Sequence, residues 1–135
     1  MDIKESLQRI LAQERKVTDA FYAVFLDRCP EARPYFQVTD MGRQSMKLSI
    51  VLLVIECYHR SSSPVAEQYL HYEGTQHHDR GVPLELYPQF LDALLLTIKL
   101  FHGLEWDAEL EAQWRAAVEK AAQAMSVGYR RHLHV

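Results

Sequence analysis

Apolar residues recur along this chain every three or four positions, the period of an α-helix rather than the alternation of a strand. Val17, Phe21, Phe25 and Leu26 share one face of a first segment, which should end before Pro30 because the residue preceding a proline avoids the α region. Met41, Gln44, Leu48, Val51, Leu52 and Ile55 define a second helix, ending near His59. Pro64 stands near the start of a third, short one through Val65, Tyr69 and Leu70, since a proline's missing N–H costs nothing in a first turn. Gly81 is its natural stop. Leu91, Leu94, Leu95, Ile98 and Phe101 mark another helix, stopped at His102-Gly103. The last runs through Leu110, Trp114, Val118, Ala121 and Met125 to Tyr129. No strand-period segment exceeds a few residues. The expected fold class is all-α, with six to seven helices on ordinary helix lengths, in one domain spanning 1–135.

Composition narrows the function classes. Hydrophobic residues at 48% and charged residues at 24% suit a chain that folds, alone or around a ligand. With a net charge of -3 and no lysine or arginine run, nucleic acid and anionic membranes find little to grip. The opening MDIKESLQRILAQERK is charged throughout and lacks the apolar core of a signal peptide, so a cytoplasmic protein is expected. The apolar run IVLLVIECY, Ile50 to Tyr58, falls far short of the roughly 20 residues of a membrane span and reads as a core helix. Cys29 and Cys57 lack metal-ligand spacing and read as buried, inert thiols.

The candidate chemistry centres on GTQHHDRGV, Gly74 to Val82. Neighbouring helical positions point about 100° apart, so at most one of His77 and His78 faces a given pocket. A histidine near a helix C-terminus is favoured by the dipole alone, and most such residues are solvated. A zinc site using His71 and His78, with Glu67 and Asp79 near, finds no HExxH or cysteine-rich pattern to support it. His102, His132 and His134 have no organising spacing and read as solvated.

Four stretches in order change the weighting: VTDAFYAVFLDRCPEARPYF (Val17 to Phe36), DMGRQSMKL (Asp40 to Leu48), HHDRGV with ELYP (Glu85 to Pro88), and WDAELEAQW (Trp106 to Trp114). Together they resemble bacterial single-domain haemoglobins and the globin domain of flavohaemoglobins, over nearly the whole chain from about Ser6 to Tyr129. The resemblance implies a globin fold around a pocket for haem b (iron protoporphyrin IX). The family's iron ligand is a histidine four residues before a glycine followed by an aliphatic residue, which selects His77 rather than His78 and places Val82 beside the cofactor. A neutral imidazole is a good iron ligand, and its other nitrogen would donate to a carbonyl in the preceding turn, that of Glu73. His78 would then point outward.

Further residues follow from the same likeness. Phe36 matches the aromatic packed on the haem face, although a plain core role is compatible with it. Tyr22 and Gln44 match the distal tyrosine and glutamine, whose phenol and amide can each donate a hydrogen bond to bound O2. Leu48 lies on the face of Gln44 and would cover the ligand, and Lys47 can reach a haem propionate. Tyr87 in ELYP matches the tyrosine of a proximal network, but Tyr129 stands where the family's glutamate is expected, and loss of that carboxylate weakens a peroxidase-like reading. The stretch between Phe36 and Gln44 is also shorter than usual in flavohaemoglobins, so Gln37 or Arg43 could intrude instead of Gln44.

Three functions fit: reversible O2 binding, with NO and CO as alternative small ligands; nitric oxide dioxygenation fed by a separate electron-donating reductase, since the chain carries no flavin or nicotinamide domain; and a globin-fold sensor or interaction protein without haem.

Overall fold

A computed structural model describes residues 1–36 and 40–130. The alternative distal residue Gln37 and the histidines His132 and His134 lie outside the described residues. The elements in order are α1 (Ile3–Ala12), α2 (Glu14–Arg28), a 3-10 helix (Pro30–Phe36), α3 (Met41–Ser61), α4 (Pro64–Asp79), α5 (Leu86–His102), a 3-10 turn (Gly103–Glu105) and α6 (Ala108–Arg130). Among the described residues all regular structure is helical, and no helix is long and apolar enough to cross a membrane.

Helix α1 is the element that proline and glycine punctuation does not mark, because only Gln13 separates it from α2. Its cap is plain all the same: the Asp2 carboxylate accepts from the Glu5 N–H at 2.9 Å. It buries Ile3, Leu7 and Ile10. In α3 the apolar run is only half core. Leu52 and Ile55 are buried, whereas Ile50 and Leu53 are exposed. An unbroken apolar run carries no period, so it cannot say which side faces in. Cys29 is buried as expected, but Cys57 is only half-buried. The core is built around Trp114 of α6, Phe21 and Phe25 of α2, and Leu94 and Ile98 of α5, all essentially inaccessible.

Helix α4 begins as its sequence predicts, with Pro64 in the first turn behind the N-cap Ser63, and ends at Asp79. Gly81 turns the chain at φ +75°, a conformation that side chains disfavour, and lets the Val82 N–H reach back to the His77 carbonyl at 3.0 Å. The wall behind α4 is α6. The two backbones touch: a Cβ on Gly74 would lie 1.9 Å from the Met125 carbonyl oxygen, and one on Gly128 would lie 1.9 Å from that of His71. This crossing holds the C-terminal turn of α4, and with it His77, at a set height beside α6.

Candidate functional site

Helices α2, α3, α4 and α5, with the 3-10 helix after α2, enclose a cavity of about 390 Å³. That is the size of a ligand site, typically about 300–1,000 Å³. Tyr22, Phe36, Gln44, Lys47, Leu48, His77, Val82 and Tyr87, separated by up to 65 positions, all lie on its wall. Arg43 does not: it is exposed in the first turn of α3, where its N–H is bound by the capping carboxylate of Asp40.

His77 is half-buried, its ring facing the cavity, and desolvation with the nearby Arg80 cation pulls its pKa down to about 4. The imidazole is therefore neutral at pH 7, the state a metal needs. Its Nδ1 lies 2.9 Å from the Tyr87 hydroxyl. This differs from the expected bond to the Glu73 carbonyl, because Tyr87 enters from the first turn of α5 and reaches the ring first. Glu73 approaches instead through its side chain, with Oε2 3.9 Å from Nε2, beyond hydrogen-bond reach. Nε2 is thus the nitrogen left for a ligand. Burial pushes the Tyr87 hydroxyl far above the ordinary phenol range, so it stays protonated. Tyr129 packs edge-on against Tyr87, with ring centroids 5.9 Å apart, and against His78 at 5.1 Å. His78 is half-exposed, absent from the cavity wall, and beside Asp79 at 3.4 Å.

On α2 and α3, the Tyr22 hydroxyl donates to Gln44 Oε1 at 3.0 Å. Burial raises Tyr22 to about 12, so it is a phenol and not a phenolate. A phenol has one proton, here given to Gln44, and the Gln44 amide keeps both of its own donors. Turning that amide by 180° would make Gln44 the donor to Tyr22 and free the phenol proton for a ligand. Phe36 packs edge-on to Tyr22 at 5.2 Å, holding its ring. Lys47 and Arg80, both exposed, bring two cations to the cavity.

Two side chains that the sequence reading passes over also matter. Tyr35, next to Phe36, donates to the Gly81 carbonyl at 3.2 Å and so ties the 3-10 helix to the α4–α5 turn across the cavity wall. A tyrosine in PRPYF gives no local sign of a partner 46 positions on. Glu73, read only as a backbone acceptor, puts a carboxylate on the wall. Among the described residues no three or more histidine, cysteine or carboxylate groups gather where they could hold a bare metal ion.

The site therefore has one imidazole with a free nitrogen, a slot walled by Phe25, Phe36, Leu48 and Phe90, and two cations. A flat, largely apolar molecule bearing iron and two carboxylates fits that set. A family model described as Globin matches residues 18–125. The chain belongs to the globin family, whose members typically bind haem. It is similar to a crystal structure of protein PA3967 from Pseudomonas aeruginosa PAO1, described as structurally highly homologous to a human haemoglobin. The two share 28% identity and a TM-score of 0.79, over 94% of this chain and 95% of the other. No curated protein matches the sequence significantly.

Proposed function

We propose that this globin binds haem b through His77, takes O2 and other diatomic gases such as NO and CO at that haem, and supports nitric oxide dioxygenation when a separate reductase supplies electrons. The observation that carries this is His77 itself: a half-buried, neutral imidazole whose Nδ1 is held by Tyr87 while Nε2 is left without a hydrogen bond, on the wall that also bears Tyr22 and Gln44. The similarity to PA3967 supports a haemoglobin-type pocket.

Bound haem would supply an iron that accepts a diatomic gas and exchanges single electrons. Everything else is work for the chain. His77 would hold the iron through Nε2, and its Nδ1, carrying the ring proton, would then donate to the Tyr87 oxygen. Lys47 and Arg80 neutralise the propionates. Phe36 and Leu48 keep the slot dry, which strengthens every polar contact inside it. With the Gln44 amide turned so that it donates to the Tyr22 oxygen, the phenol proton would be free for a partly negative gas ligand, and such a charge-assisted bond is worth about 1.5–3 kcal/mol. His77 is the only histidine on the wall among the described residues.

Tight holding of O2 favours nitric oxide capture over easy release. The test is O2 dissociation and nitric oxide turnover in wild type and Tyr22→Phe. Loss of one charge-assisted bond should speed O2 release by roughly tenfold or more. Unchanged O2 dissociation would remove Tyr22 from this role, and an O2-loaded protein that yields no nitrate with nitric oxide would refute the enzymatic part.

A further inference from the structure

Glu73 is a carboxylate on the cavity wall to which the function above gives no task. It stands one helical turn before His77 on α4, and its Oε2 lies 3.9 Å from Nε2, the nitrogen left for iron. The side chain is 24% exposed, more sheltered than any other carboxylate paired with a histidine here: Glu67 beside His71 is 45% exposed and Asp79 beside His78 is 55% exposed. Tyr69 lies a further turn back on α4, and burial with the nearby Glu73 charge raises its pKa.

A haem with ferric iron carries one more positive charge than the same haem with ferrous iron. A fixed negative charge beside it therefore stabilises the ferric form, and does so strongly where water is scarce. The α4 C-terminus, whose last turn contains His77, adds partial negative charge of the same sign. Arg80 and Lys47 oppose it from the same cavity, but both are exposed, and water and salt screen them more.

We propose that Glu73 is a positioning residue for charge, biasing the iron held by His77 toward the ferric state. This rests on the haem assignment made above. It gives the site a character: iron that returns to the ferrous state only when electrons are fed suits turnover with a reductase better than passive storage of O2.

The test is a spectroelectrochemical titration of the haem-loaded protein as wild type, Glu73→Gln, Glu73→Asp and Glu67→Gln, with a ferrous carbon monoxide spectrum of each sample. Glu73→Gln should shift the ferric/ferrous balance toward ferrous by tenfold or more, which is 59 mV or more for a one-electron couple. Glu67→Gln removes the same charge from the same helix and should shift it less than threefold. Glu73→Asp, which keeps the charge and tests the idea even if the glutamine variant folds poorly, should stay within threefold of wild type. A Glu73→Gln protein with intact histidine ligation and wild-type potential would overturn the inference alone, as would an aspartate variant shifted by tenfold. A wild type that binds no haem would overturn the inference together with the function beneath it.

Discussion

Two histidines at separate places in this molecule, His102 and His77, are both held neutral by desolvation, yet they are built for different ends. His102, at the end of α5, is 8% exposed, and burial, with Arg9 nearby, lowers its pKa. Its Nε2 lies 2.5 Å from the Ser6 hydroxyl oxygen, which accepts from the Trp114 indole N–H at 2.9 Å. Ser6, His102 and Trp114 thus form one buried hydrogen-bonded chain between α1, α5 and α6. Trp106 stacks on the same ring at 6.4 Å. His77 has the same protonation state and a similar partner in Tyr87, but its second nitrogen opens on a cavity. Burial and a depressed pKa thus do not mark a ligand. The nitrogen with room in front of it does.

The largest effect should come from beneath His77. Gly74→Ala drives a Cβ into the Met125 carbonyl, so α4 and α6 must part. A loss of more than about 3 kcal/mol is expected, well above the usual range for a surface helix change. Chemical denaturation would measure it, and a loss under about 1 kcal/mol would mean the crossing is slack. His102→Ala comes next. It strands Ser6 and Trp114 and opens a cavity, for an expected cost of about 2 kcal/mol with no change in the haem spectrum. A changed spectrum would break the division of labour between the two histidines.

Acid should distinguish them more finely. Both folded pKa values lie below the ordinary value of 6.5, for His77 at about 4, so the unfolded chain binds more protons. The stability this contributes is fully present above pH 6.5 and is lost as pH falls through the folded values. Protein purified without haem should therefore lose thermal stability between pH 7 and pH 4.5, and His77→Gln should flatten that slope. Parallel slopes for the variant and wild type would show that His77 is not held neutral. The smallest effect belongs to the tie across the cavity. Tyr35→Phe removes one exposed hydrogen bond, worth about 0.5–1 kcal/mol, and should speed haem transfer to an acceptor globin by roughly two- to fivefold.

What was legible in the sequence is what local spacing carries. The helices from α2 onward follow from the period of apolar residues between prolines and glycines, and HHDRGV distinguishes two adjacent histidines by their distance from Gly81. Tyr22, Gln44 and Leu48 were recognisable by likeness, and the fold gathers them on one wall. What was not legible depends on partners far along the chain. His102 reads as solvated because Ser6 lies 96 positions before it, and Gly74 gives no sign that Gly128 will face its helix. Glu73 was placed one helical turn from His77, but the periodicity does not say that Tyr87 would take Nδ1 and leave the carboxylate facing Nε2. The gap between α1 and α2 is a single glutamine without a breaker, so the first helix is invisible to punctuation.

The most direct measurement is the absorption spectrum of haem-supplied protein in ferric, dithionite-reduced and carbon monoxide forms, for wild type beside His77→Ala, His78→Ala and His102→Ala. The histidine-ligated ferrous spectrum should disappear in His77→Ala alone. Its survival in His77→Ala, or a wild type that stays colourless, would contradict the assignment of His77 as the iron ligand and leave a globin fold used for sensing or for protein contacts.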